Sequence, residues 1–139
     1  YTFGMHRAAF IHSLVDEVGG AIIIAHPYRR RFTKNDIYNA SAYNHTLEQA
    51  LQSPYFSLAN GIEVLNGRGS AEENAFALEI SSRLNLRGTG ASDAHGAGEV
   101  GSCATEFERP VHTLEALIQE LRDGRFRAVS LRESTPTPG

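Results

Sequence analysis

A fully apolar run, Ala-Ile-Ile-Ile-Ala at 21–25, places the strongest constraint on the fold. It is rich in β-branched isoleucine and far too short to span a bilayer. A strand without polar positions is buried on both faces, which is typical of a parallel sheet covered by helices. A helical apolar stripe over residues 5–18 precedes the run, and His26-Pro27 ends it. The sequence therefore predicts an α/β fold.

The alternation of strand and helix patterns continues along the chain. Residues 28–45, rich in Arg, Asn and Tyr, are interpreted as a long loop. Further strands are predicted at 61–66, 87–92, 103–107 and 126–131, and helices at 46–52, 70–84 and 113–122. Strands that alternate with helices indicate βαβ units and a mostly parallel sheet. We predict one domain over residues 1–131, followed by a flexible tail at 132–139.

Composition excludes several classes of protein. The chain has 139 residues, of which 41% are hydrophobic and 21% charged, as expected of one globular domain. The net charge of −3 gives no general attraction to nucleic acid or to an anionic membrane. A single cysteine, Cys103, fits a reducing compartment, and no signal-peptide pattern is evident, so we expect a cytoplasmic protein. Because the first residue is not Met, we expect a piece of a longer protein.

Polar residues stand where three predicted strands end. His26 follows the first strand, Glu63 and Asn66 lie in the second, and Asp93 and His95 follow the third. The carboxyl ends of parallel strands meet at one edge of a sheet, and functional residues collect there. Imidazole and carboxylate groups suit zinc, manganese and iron. Each residue alone has an ordinary structural interpretation, but the joint placement predicts a metal site.

Arginines flank these strand ends. Arg29, Arg30 and Arg31 follow His26, and Arg68 follows Asn66. The planar guanidinium matches phosphate oxygens, so the arginines at 29, 30 and 68 are candidates for substrate binding. A solvated basic loop is the alternative interpretation.

Three motifs in order carry a family resemblance: Ala-His-Pro at 25–27, Gly-Ile-Glu-Val-Leu-Asn at 61–66 and Ser-Asp-Ala-His at 92–95. They resemble the later motifs of the polymerase and histidinol phosphatase (PHP) family, and the likeness extends over residues 20–129. It implies a distorted (β/α)7 barrel with a metal cluster that hydrolyses phosphate esters of small molecules, nucleotides or nucleic-acid ends. By resemblance, the catalytic metal ligands are His26, Asp93 and His95, whereas Glu63 and Asn66 lie beside them.

The chain departs from that family in one respect, since it has no His-x-His motif. The resemblance therefore implies the C-terminal part of a barrel, with an incomplete cluster of Zn, Mn or Fe and little activity alone. Its expected partners are the N-terminal half of the domain and a phosphorylated small molecule or nucleotide. An open sheet edge also suggests a homodimer. The alternatives are a non-catalytic structural half-domain and another metal-dependent hydrolase, such as an amidohydrolase.

Overall fold

The computed structural model describes residues 6–31 and 39–131. The predicted tail at 132–139 and part of the predicted loop, residues 32–38, lie outside this range. No helix in the described ranges is long and apolar enough to cross a membrane. The elements are α1 (Ala8–Glu17), β1 (Ile23–Ile24), α2 (Ala40–Leu51), a 3-10 turn (Phe56–Leu58), β2 (Gly61–Asn66), α3 (Ala71–Leu84), β3 (Gly88–Ala91), a second 3-10 turn (Ala97–Glu99), β4 (Cys103–Phe107), α4 (Leu114–Asp123) and β5 (Phe126–Ser130).

The first three strands form a parallel sheet in the order β1-β2-β3. Ile23 pairs with Gly61 in one ladder, and Ile62 pairs with Gly88 in the next. The predicted parallel core is therefore confirmed. β1 is shorter than the predicted strand at 21–25, and the chain turns after it at His26, where φ is 27°. The prediction that this strand is buried on both faces is wrong: Ile23 and Ile24 are half-buried, because β1 lies at the edge of the described sheet.

The last two strands correct the prediction of a mostly parallel sheet. β4 and β5 pair antiparallel in a separate two-stranded sheet. The hydroxyl of Thr105 links this sheet to β3: it accepts the N–H of Gly90 at 3.1 Å and donates to its carbonyl at 2.9 Å. A Cβ at position 90 would lie 2.5 Å from the Ala104 carbonyl oxygen, so the close approach requires glycine. The fold is mixed α/β, and the described strands do not close into a barrel.

The helix α2 also corrects a prediction, because it begins at Ala40, within the expected loop at 28–45. Asn39 caps it, since its side-chain oxygen accepts the N–H groups of Ser41 and Ala42. Thr46, the first residue of the helix predicted at 46–52, lies inside α2 and donates to the Ala42 carbonyl. The high Asn and Tyr content of this segment concealed a helix that packing stabilises.

The predicted ends of the helices at 70–84 and 113–122 are confirmed to within one residue. Ser70 and Glu73 form a capping box at the start of α3, and Asn85 ends that helix with φ 50°. Thr113 caps α4 through the N–H of Ala116, and Gly124 ends it with φ 67°.

The core lies between the parallel sheet and the helices α2 and α3. Ile62, Phe76 and Ile80 are completely buried. Tyr28 and Tyr43 pack edge-on against the Phe76 ring, at centroid distances of 4.8 and 5.0 Å. Tyr28 belongs to the turn after His26, so this aromatic cluster anchors the first strand end to α3.

Replacing Phe76 with alanine should therefore destabilise the fold strongly. We expect a loss of about 3–5 kcal/mol, since the change leaves a cavity beneath two tyrosines. Urea unfolding followed by circular dichroism measures the change. Leu78→Ala on the same helix is the control, because Leu78 is 57% exposed and should change stability by only about 0.5 kcal/mol. Equal losses in the two variants would contradict this description of the core.

A partly buried ion pair holds the end of α4 beside β5. Arg125 donates to both carboxylate oxygens of Glu120, at 2.9 and 2.7 Å, and also pairs with Asp123. Glu120 is only 5% exposed. The hydrogen bonds from Arg125 hold the pKa of the Glu120 carboxyl below its ordinary value of 4.5.

The lowered pKa predicts a specific pH dependence. Because the folded state favours the ionised Glu120, this group stabilises the protein above its ordinary pKa. The stabilisation is lost as the pH falls through the lowered pKa of the folded state. Glu120→Gln should therefore be less stable than the parent at pH 7, and its free energy of unfolding should fall less steeply below pH 4.5. Urea titrations across this range test it, and parallel pH curves for the two proteins would contradict it.

Candidate functional site

The turns after β1, β2 and β3 bring six of the candidate residues to one cleft. This open cleft has a volume of about 540 Å³. Its lining residues are His26, Arg29, Arg30, Arg68, Asp93 and His95. The structure thus places the candidate ligands and the candidate phosphate-binding arginines together, although their chemical roles stay predictions.

Glu63 and Asn66 lie directly beneath this cleft. Both are buried, with 7% and 3% exposure. The Glu63 carboxylate accepts the backbone N–H of His26 at 2.7 Å and the Asn66 amide at 3.0 Å. The same amide nitrogen lies 3.3 Å from the Asp93 carboxylate. The side-chain oxygen of Asn66 accepts the N–H of Arg68 at 2.9 Å. These two side chains therefore connect the three strand ends.

The backbone at the cleft adopts unusual conformations. His26 has φ 27° and Asp93 has φ 50°, both in the left-handed region that side chains rarely adopt. Such conformations persist where the surroundings hold them, and they concentrate at functional sites. Here the hydrogen bonds to Glu63 and Asn66 provide that restraint.

His95 is held in a defined orientation. Its Nδ1 lies 2.8 Å from the backbone carbonyl oxygen of Asp93 and 3.9 Å from that residue's carboxylate. Because a carbonyl only accepts, Nδ1 carries the proton, and in the neutral ring Nε2 keeps the lone pair that a metal requires. The N–H of His95 donates to Glu99 at 2.8 Å, and this bond lowers the pKa of the Glu99 carboxyl.

Two contributors escaped the sequence analysis. Glu99 lies in a glycine-rich loop without any periodic pattern, so nothing in the sequence indicated that it accepts a hydrogen bond from His95. Asn74 lies in the first turn of α3, where it accepts the N–H of Asn66 at 3.0 Å and donates to the carbonyl of that residue at 3.1 Å. These two reciprocal hydrogen bonds resemble those between paired strands, and they fix the end of β2 against α3.

Arg29 forms an ion pair with Asp93. The two side chains are 18% and 20% exposed, so the pair is largely shielded from water. The arginine lies in the turn that follows His26, and its N–H donates to the His26 carbonyl at 3.1 Å. One of the predicted phosphate ligands is therefore bound to one of the predicted metal ligands.

The donor chemistry of the cleft suits a transition metal, but the arrangement is incomplete. Asp93 and His95 lie together, and His26 lines the same cleft. Within residues 6–31 and 39–131, however, no three His, Cys, Asp or Glu side chains converge as a metal-binding group. The ligand types fit, and the convergent geometry is not formed.

Comparison with known proteins identifies part of the chain. Residues 71–126 match the family model described as PHP-associated. The matched segment is similar to the PHP-associated family. The predicted relationship to the C-terminal region of PHP proteins is therefore confirmed, and the PHP-associated segment includes Asp93 and His95. No curated protein and no solved structure matches the chain significantly.

The network beneath the cleft predicts a large effect of Asn66→Ala. This change removes the amide that donates to Glu63 and Asp93 and the oxygen that accepts the Arg68 N–H, which should destabilise the protein by about 1–3 kcal/mol. Asn44→Ala is the matched control, since Asn44 is exposed on α2. Urea unfolding of the two variants measures the difference. Indistinguishable stabilities would show that the network does not stabilise these strand ends.

Proposed function

We propose that this chain forms the C-terminal part of a metal-dependent phosphoesterase of the PHP type. The observation that supports the proposal is the single cleft in which His26, Asp93 and His95 lie among three arginines. The PHP-associated segment contributes two of these candidate ligands. The proposed substrate is a phosphorylated small molecule or nucleotide, and the complete domain is proposed to be a (β/α)7 barrel.

A divalent Zn, Mn or Fe cluster held by these residues would supply an activated water molecule and neutralise charge on the phosphoryl oxygens. In this proposal, the chain's own residues position the reactants. Glu63 and Asn66 fix the strand ends that carry His26 and Asp93. Arg30 and Arg68 line the cleft and would bind the phosphoryl oxygens.

The remaining metal ligands would come from an N-terminal half of the domain. β1 pairs with β2 on one side, and in the described sheet it forms an edge. A strand of that half is the partner we propose for this edge, and a second copy of the chain could pair there in its absence. The chain alone is accordingly proposed to be inactive.

A second candidate function is a non-catalytic structural half-domain. The ion pair between Arg29 and Asp93 favours it, because a carboxylate already neutralised by arginine needs no metal. Metal content distinguishes the two candidates.

The test is the double variant Asp93→Ala with His95→Ala, in the protein expressed from its complete gene. Losing two ligands should lower bound manganese by about tenfold or more, and hydrolysis of p-nitrophenyl phosphate should fall with it. Elemental analysis after incubation with Mn²⁺ measures the metal.

Glu108→Ala with His112→Ala is the matched control, since it removes one acidic residue and one histidine that are both exposed. Unchanged metal content in the Asp93–His95 double variant would reject the ligand assignment. A parent protein that retains no metal would instead support the structural half-domain.

A further inference from the structure

We propose that Arg29 is an internal cation that competes with metal for Asp93, and that metal binding releases its guanidinium to the phosphoryl group. This inference rests on the proposed function. It concerns why the described side chains do not converge on a metal, and it assigns Arg29 a role different from those of Arg30 and Arg68.

The first argument is the position of the guanidinium. One carboxylate oxygen of Asp93 receives both Arg29 and the Asn66 amide. With Asp93 only 20% exposed, a cation close by stabilises its charge. Arg29 supplies that cation from within the chain, so the site is electrostatically complete without metal.

The second argument is mutual exclusion. Arg29 leaves the same turn as His26, and its guanidinium reaches the carboxylate that His26 would share a metal with. A divalent ion bound to Asp93 would stand next to a positive guanidinium, and like charges at that separation repel strongly where water is partly excluded. On this argument, metal and Arg29 compete for the charge of Asp93.

The third argument is the destination of the released side chain. Arg29 shares its cleft with Arg30 and Arg68. Once displaced, its guanidinium adds to a positive cluster suited to a phosphate group. Metal and phosphate binding are then coupled, and linkage requires each to strengthen the other to the same extent.

Calorimetric titration of Mn²⁺ tests the proposal, with and without inorganic phosphate. The proteins are the parent, Arg29→Gln and the control Arg30→Gln, all expressed from the complete gene. Without phosphate, Arg29→Gln should bind Mn²⁺ about fivefold or more tightly than the parent, whereas Arg30→Gln should not. Phosphate should strengthen Mn²⁺ binding to the parent, and this gain should shrink in Arg29→Gln.

Each other outcome has a definite meaning. If Mn²⁺ affinity rises equally in Arg29→Gln and Arg30→Gln, the loss of one positive charge explains the effect, and the proposal is wrong. Unchanged or weaker Mn²⁺ binding by Arg29→Gln would also overturn it. If none of the three proteins binds Mn²⁺, the proposed metal site is wrong too. This outcome distinguishes failure of the proposed function from failure of the Arg29 proposal alone. Circular dichroism verifies folding. Should Arg29→Gln not fold, Arg29→Lys, which keeps the charge but loses the planar fork, should bind Mn²⁺ more tightly than the parent.

Discussion

Glu63 places a carboxylate inside the protein, and the geometry of the cleft depends on how that charge is satisfied. The backbone N–H of His26 and the amide of Asn66 both donate to it. A buried carboxylate that lacks such donors is costly, so these bonds constrain both strand ends. They also hold His26 in its left-handed conformation. The position of the candidate ligand thus follows from one interaction beneath it.

Much of the fold was predictable because local signals agreed with tertiary packing. The strand at 61–66 and the helix at 70–84 each have a clear pattern and form as expected, whereas the apolar run at 21–25 forms a shorter strand. The first residues of α2, before Thr46, were predicted as loop. They are weak helix formers, and packing of Tyr43 on Phe76 stabilises the helix there. The antiparallel pairing of β4 with β5 was also missed, since strand direction depends on how α4 returns the chain.

Strand-end placement predicted the residues of the cleft, since parallel strands direct their carboxyl ends to one edge. Pairing between those residues was not predictable, because it depends on side-chain direction. The sequence assigned Arg29 to phosphate and Asp93 to metal, and the structure joins the two in an ion pair. The two residues are 64 positions apart in the sequence, and this spacing contains no information about the contact.

Charge balance explains why the two assignments are compatible. Glu63 and Asp93 place two carboxylates near Asn66, whose amide is a neutral donor and cancels neither charge. Three arginines surround the same cleft, but only Arg29 is recorded in an ion pair there, among the described residues. A cation at Asp93 therefore balances its charge, whether that cation is Arg29 or a metal. Under the proposed competition, Arg29 balances Asp93 without metal and moves toward an anion beside Arg30 and Arg68 when metal takes its place.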